Sequence, residues 1–377
     1  MRTTRTQLAG ATGLLIACFI ASLSTDQILA QDRSVESASR SHADLTWRPI
    51  DSGTVGTIQT IAHWEARRAD VLNQMQVVMG RLPKIEPPVA LDIERLAEEQ
   101  LSNGLVRQKI SYHTDSTERR VTAWLFVPAG ASKENRRAAV LCLHQTTRIG
   151  KDEPAGLGGN PNLHYALHLA QRGFVTLAPD YPSFGDYAYD FPASDGYISG
   201  TMKAIYDNVR TVDLLQALDE VDPDRIGCIG HSLGGHNTMF TAAFDQRIKA
   251  IVSNCGFTRF HKYYEGRLKG WTSSRYMPLI NSRFGNDPDR VPFDFPEIVA
   301  SFAPRPFLAS SPTGDSNFEV SGVRDSITAA MPIYALFNAG SKLQANYPDC
   351  SHDFPEPVRE RAYRFLEQHL ANPAPAD

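Results

Sequence analysis

Cysteine is scarce in this chain: five residues, Cys18, Cys142, Cys228, Cys255 and Cys350, with no Cys-x-x-Cys pair among them. That pattern excludes a disulfide-dense scaffold and a thioredoxin-type redox centre. His-Glu-x-x-His is missing too, and His164 and His168, although spaced as a helical zinc pair would be, have no third ligand beside them. No metal and no other cofactor is therefore expected, and both histidines read as ordinary helix residues. Positive charge is not in excess, because 38 Lys and Arg stand against 42 Asp and Glu for a net charge of −4. Nucleic acid is not an expected partner on that ground. Beyond the N-terminus no apolar run approaches the ~20 residues of a helical bilayer span, so no stable membrane span is expected.

What is present begins with a leader. Arg2 and Arg5 precede an apolar stretch from Leu8 to Leu23 and a polar region ending Ile28-Leu29-Ala30. Residues 1–30 read as a secretory signal peptide cut after Ala30, which sends the protein to the periplasm or the medium. Leu15-Ile16-Ala17-Cys18 also fits a lipobox, with Cys18 lipidated, but the apolar run continues through Phe19, Ile20 and Ala21 where a lipobox closes it. Of the four remaining cysteines, Cys142 and Cys228 fall inside expected central strands, where thiols serve as small core hydrophobes. Free thiols are the expectation.

The rest of the chain divides by pattern, and its 42% hydrophobic content is ample for a large core. Residues 31–56 are polar and read as a loosely held stretch, followed by a helix over His63–Arg81 with Val71, Leu72, Met75, Val78 and Met79 at helical spacing. Residues 31–100 thus form an N-terminal extension with one helix. Strands at Leu105–Tyr112 and Arg120–Val127 suggest an antiparallel hairpin. From Ala138 short apolar strands alternate with amphipathic helices, the mark of a mostly parallel sheet covered on both faces. Strands are expected at 139–143, 175–178, 226–229, 250–252, 306–309 and 343–347, and helices at 163–171, 204–218, 233–244, 326–337 and 358–369. Residues 101–377 make one α/β domain, interrupted by an aromatic-rich, lid-like insertion at 257–300 that is too long for an ordinary connection.

The chemistry centres on Gly230-His231-Ser232-Leu233-Gly234, which follows the apolar run Arg225–Ile229 and opens a helix. Strand, sharp turn and helix with a serine at the tip are the parts of a nucleophile elbow, and glycine flanks the serine because strand and helix cross too closely for side chains. A serine hydroxyl needs a base, and the base needs an acid to hold its tautomer. In this arrangement the acid and then the histidine follow the serine. His352 lies in a loop after the last expected strand, whereas His369 falls on the terminal helix, so His352 is the candidate base. Asp315, on a glycine-containing loop at a strand's carboxyl end, is the candidate acid, with Asp349 and Asp353 as competitors. The backbone amides of Leu233 and Gln145 are the candidate oxyanion donors. Asp180 reads as a turn-fixing carboxylate and His236 as structural. Trp271, Arg275 and Tyr276 in the insertion are candidates for substrate contact, against the alternative that they only pack.

His144-Gln145-Thr146-Thr147, Pro179 to Gly185, Gly230 to Gly235, Asp315 and Ser351-His352-Asp353 together resemble the α/β-hydrolase superfamily. More narrowly the chain looks like exported dienelactone-hydrolase-like and acetyl-xylan-esterase-like bacterial serine hydrolases over roughly residues 100 to 370. Dienelactone hydrolases use a cysteine nucleophile, so Ser232 carries no lactone specificity. The resemblance implies an α/β-hydrolase fold and a carboxylic ester hydrolase with a small-molecule or carbohydrate ester as substrate. Two alternatives stand beside it: a serine peptidase of the prolyl-oligopeptidase type, whose usual propeller the short N-terminal segment cannot build, and a non-catalytic binding module on a hydrolase scaffold.

Overall fold

Alternating faces along each apolar run decide the architecture. In the computed structural model, which describes residues 42–51 and 54–371, Ala139, Leu141 and Leu143 turn into one hydrophobic core while Val140 and Cys142 turn into a second on the opposite face. That two-residue period makes them the middle of a sheet buried on both sides. The expected signal peptide, its Ala30 cleavage site and the Cys18 lipobox lie outside the described residues. Among those described, no helix is long and apolar enough to cross a membrane, and Cys142, Cys228, Cys255 and Cys350 are free thiols.

In chain order the elements are β1 (Trp47–Asp51), β2 (Thr54–Thr57), α1 (Ile61–Met79), β3 (Glu94–Gln100), β4 (Val106–Tyr112), β5 (Val121–Val127), β6 (Arg137–Leu143), α2 (Tyr165–Gln171), β7 (Val175–Pro179), α3 (Gly200–Ala217), β8 (Val221–His231), α4 (Leu233–Phe244), β9 (Ile248–Asn254), α5 (Leu279–Ser282), α6 (Phe295–Ala300), β10 (Phe307–Ser310), α7 (Val320–Leu336), β11 (Leu343–Asn346) and α8 (Glu356–His369). The main sheet has nine strands in the order β11-β10-β9-β8-β6-β7-β5-β4-β3. Strands from β11 through β7 run parallel, and β5 pairs antiparallel with both β7 and β4. Helices α2 and α8 pack on one face; α1, α3, α4, α6 and α7 pack on the other.

Two parts of the N-terminal region differ from expectation. Strand β3, Glu-Arg-Leu-Ala-Glu-Glu-Gln, is exposed along its whole length and pairs with β4 through the backbone ladder and through its carboxylates, Glu99 with Arg107, Glu98 with Gln108 and Glu94 with Ser111. Without a buried face it has no apolar alternation to betray it, and its charges suit an open sheet edge. Of the stretch expected to be loose, residues 31–41 lie outside the described residues, and 42–51 and 54–57 are held: β1 and β2 pair antiparallel, and His42 and Leu45 are buried. The anchor is Glu297, on α6 at the end of the insertion. Its Oε2 lies 2.8 Å from His42 Nδ1, and its Oε1 accepts from Arg67 Nη2 of α1 at 2.6 Å. The Arg67 guanidinium also sits 3.9 Å from the Trp47 ring centroid. Arg68 adds hydrogen bonds to the carbonyls of Ser301 and Ala243.

The insertion is no detached flap. Phe257, Phe260, Trp271, Phe293 and Phe295 are buried in the same core as the sheet. Asp294 and Glu297 close a capping box on α6, so one carboxylate serves both helix and clamp.

Burial alone would lower the His42 pKa, but the charge and hydrogen bond of Glu297 outweigh it and the value is raised. The stabilisation is therefore full below the ordinary value of 6.5 and fades as pH rises through the raised folded value. Replacing Glu297 by Gln should cost about 3 kcal/mol in urea unfolding at pH 6, as expected when one member of a buried pair is removed. The stability gap between wild type and His42→Ala should shrink between pH 6 and pH 9, and a flat gap would contradict the ion pair.

Candidate active site

Strand β8 ends at His231 and α4 begins at Leu233, leaving Ser232 alone at the turn with φ 56° and ψ −117°. A non-glycine residue held there carries strain of order 1–3 kcal/mol, which the surroundings must over-determine. They do so by close backbone approach. A Cβ on Gly230 would overlap the Gly234 carbonyl, one on Gly234 would overlap the carbonyl of Leu143, and one on Gly235 would stand 2.7 Å from Gly256 Cα. Ser232 N donates to Asn254 O at the end of β9, 2.9 Å away, and the serine side chain makes no capping bond to its own helix.

The contact with Leu143 brings the elbow against the loop after β6, where Gln145 lies. His144 shapes that loop: its Nδ1 donates to Gln145 O at 2.6 Å and its Nε2 accepts from Tyr181 N at 2.9 Å. Both bonds require the neutral ring, and burial holds its pKa below the ordinary value. The Gln145 side chain turns away to donate to Glu153, 2.9 Å. Its backbone N–H has no acceptor among the described residues, and the Leu233 N–H lies in the open first turn of α4.

Asp315 and His352 come from adjacent strand ends. Backbone bonds from Thr313 N to Pro348 O, 2.9 Å, and from Gly314 N to Cys350 O, 3.1 Å, pin the loop after β10 to the loop after β11. His352 Nδ1 then stands 3.0 and 2.9 Å from the two Asp315 oxygens. Burial would raise the Asp315 pKa, but the His352 hydrogen bond and charge and the amides of Asn317 and Phe318 hold it low. The competitors point elsewhere. Asp353 accepts from Asn160 and Asn162, Asp349 from Thr313 Oγ1, and His369 packs against Phe365. The His352 ring centroid lies 4.8 Å from that of His231, the residue before Ser232, so Asp315 and His352 come up to the elbow, although among the described residues no hydrogen bond joins Ser232 Oγ to His352.

Two residues at this place gave no signal in the sequence. His231 pairs with Asn254 Nδ2 through Nδ1 at 2.7 Å, and burial together with the His352 charge pushes its pKa down to about 3. Cys255 Sγ and one ligand atom each of Asp315 and His352 lie within 4.8 Å of one another, a donor set able to take a metal ion. Burial pushes that thiol well above its ordinary pKa, so it is no rival nucleophile. Neither could be placed without knowing which strand follows β8 in the sheet.

Asp180 fixes a turn. It accepts from Lys151 N, Thr122 Oγ1 and Asp186 N, and Lys151 Nζ lies 2.8 Å from it. His164 and His168 engage the Gly158 carbonyl and the Tyr363 hydroxyl. Trp271 corrects the expectation of a stacking surface: it is 3% exposed and packs against His236, Phe260, Tyr263, Phe295 and Phe318. His236 is buried in that aromatic packing, with its pKa lowered to about 3 by burial. Arg275 and Tyr276 are half-buried. The Tyr276 hydroxyl bonds Thr146 Oγ1 at 3.1 Å, and Arg275 Nε donates to Ser183 Oγ at 2.8 Å.

Residues 162–366 match the prolyl oligopeptidase family. The putative hydrolase YtaP of Bacillus subtilis is 29% identical over 213 residues, 55% of this chain and 68% of that protein. The quorum-quenching protein AidA of Acinetobacter baumannii is 26% identical, and carbohydrate esterase MZ0003 of an unknown prokaryotic organism 24% identical; the chain spans 46% and 33% of their lengths. Among solved structures, a glucuronoyl esterase from Solibacter usitatus aligns with TM-score 0.67 and 18% identity, covering 88% of this chain and 98% of that one. An acetyl xylan esterase, itself described as putative, from Bacteroides fragilis aligns with TM-score 0.60 and 18% identity, covering 93% and 91%.

The elbow makes a direct prediction. Gly234→Ala should lower the melting temperature by several degrees or yield insoluble protein, because overpacking against a strand carbonyl costs about 3 kcal/mol. An unchanged melting curve would show that α4 and β6 can separate.

Proposed function

This chain belongs to the prolyl oligopeptidase family and has the α/β-hydrolase fold, and from that premise we propose that it is an exported serine ester hydrolase that works through an acyl-enzyme on an esterified carbohydrate. The observation that carries the reading is His352, held by the buried, ionised Asp315 beside a serine at the tip of a strained elbow. His352 Nε2 takes the Ser232 proton as Oγ attacks the ester carbonyl, and the Leu233 and Gln145 amides receive the oxyanion. The imidazolium then protonates the departing alcohol, and water repeats the cycle on the acyl-enzyme. Against its burial, the His352 hydrogen bond and charge and the Asn317 and Phe318 amides keep Asp315 ionised, which fixes the His352 tautomer with Nε2 free for the serine. Support for an ester of a sugar comes from the carbohydrate esterase relative and the esterase-like neighbours; support for export is the sequence of residues 1–30.

The family match favours one second reading, peptide hydrolysis by the same residues. Among the described residues, however, the segment before β4 forms a hairpin, one helix and an edge strand rather than a propeller to screen peptides.

Ser232→Ala should abolish hydrolysis of acetylated sugars and short p-nitrophenyl esters and labelling by a fluorophosphonate. Asp315→Asn should lower kcat by about 10⁴, the loss expected when the base is held in the wrong tautomer. Turnover surviving in Ser232→Ala would sink the nucleophile assignment, and faster cleavage of aminoacyl amides than of esters would favour the peptidase.

A further inference from the structure

Arg275 carries a charge that the protein does not neutralise. Several buried and half-buried arginines end on carboxylates, Arg67 on Glu297, Arg119 on Asp195, Arg247 on Asp245 and Arg259 on Asp294, or on carbonyls, as Arg68 and Arg305 do; Arg137, at the start of β6, is half-buried without such a partner among the described residues. Arg275 spends only its Nε, on Ser183 Oγ at 2.8 Å. Among the described residues no carboxylate lies within 4.0 Å of its guanidinium, and neither Nη group has a protein acceptor.

Its placement is built. Tyr181, on the loop after β7, donates its hydroxyl to Arg275 O at 2.6 Å. The next residue, Tyr276, bonds Thr146, which neighbours the oxyanion candidate Gln145. The guanidinium lies 4.5 Å from the centroid of Phe184, and Phe184 shares a small apolar cluster with Tyr276 and with Leu233, the residue after the nucleophile. Arg275 therefore packs on a ring of the same apolar cluster that contains the residue after the nucleophile. Ser183, which holds Nε, is itself in the left-handed region at φ 76°, as expected of a residue kept in place for its contact. Arg148, two residues beyond Thr146 on the same loop, is exposed and likewise has no carboxylate within 4.0 Å among the described residues.

We propose that Arg275, supported by Arg148, binds a carboxylate on the substrate, so that the preferred ester is an acylated acidic sugar rather than an acylated neutral one. This rests on the ester-hydrolase reading and narrows its substrate class. With Nε occupied, the Nη1 and Nη2 edge of the planar guanidinium remains for an end-on, two-bonded carboxylate, a geometry that lysine cannot copy. Half-burial against Phe184 strengthens such a pair relative to one in open water. Two cations without carboxylate partners also attract an anion before it binds.

The test compares kcat/KM for acetylated methyl glucuronoside, which carries a free carboxylate, with that for acetylated methyl glucoside, which carries none. Wild type should favour the uronate by about tenfold, the size expected of one charge-assisted pair. In Arg275→Gln the ratio should fall to about one through a rise in KM for the uronate, and Arg275→Lys should keep part of it. Melting temperatures near that of wild type establish that the variants fold. Equal turnover of the two esters by wild type, or a preference that persists in Arg275→Gln, overturns the proposal while leaving the hydrolase reading intact. Failure to hydrolyse either ester, with no fluorophosphonate labelling of Ser232, removes both.

Discussion

The contact between Gly234 and the carbonyl of Leu143 is the constraint from which the site follows. It joins the start of α4 to the end of β6 with no side chain between them. That closeness accompanies the positive φ of Ser232, whose hydroxyl makes no bond to its own helix, and brings the start of α4 against the strand that leads into the loop with Gln145. A hydroxyl that cannot cap α4 stays available for chemistry, and helix N–H groups that lack a cap stay available for an anion. One steric requirement thus supplies both nucleophile and electrophilic surroundings.

The acid and base are placed by different means. Asp315 and His352 lie on loops that would be mobile separately, but Thr313 and Gly314 donate backbone bonds to Pro348 and Cys350 and make the pair one unit. Around that unit the electrostatics are arranged in opposite directions. Amides and His352 stabilise the Asp315 charge, while burial keeps His231 and His144 neutral nearby. Two neutral rings add no competing positive charge beside the one that must accept a proton.

The elbow was legible in the residues because its requirements are local: glycine where backbones cross, a β-run before, a helix after. Strands β6 to β9 were legible for the same reason, since burial on both faces leaves a continuous apolar run such as Ala138 to Leu143. Strand β3 was not, because a wholly exposed edge strand held by backbone and carboxylate bonds has no apolar periodicity. The β1–β2 hairpin was hidden among polar residues because its anchor, Glu297, stands 255 positions from His42. Trp271 was ambiguous for a related reason: an aromatic-rich insertion has the same composition whether its rings face a ligand or the core.

Residue types and their order were thus enough for the fold class and for naming Ser232, Asp315 and His352 as candidates, because turn sterics and strand–helix alternation act over a few positions. Which aspartate faces His352, which ring nitrogens stay neutral, and which arginine keeps an unused charge were settled only by tertiary structure. Those properties depend on burial and on partners brought together from distant strands and loops, and local sequence carries no record of either.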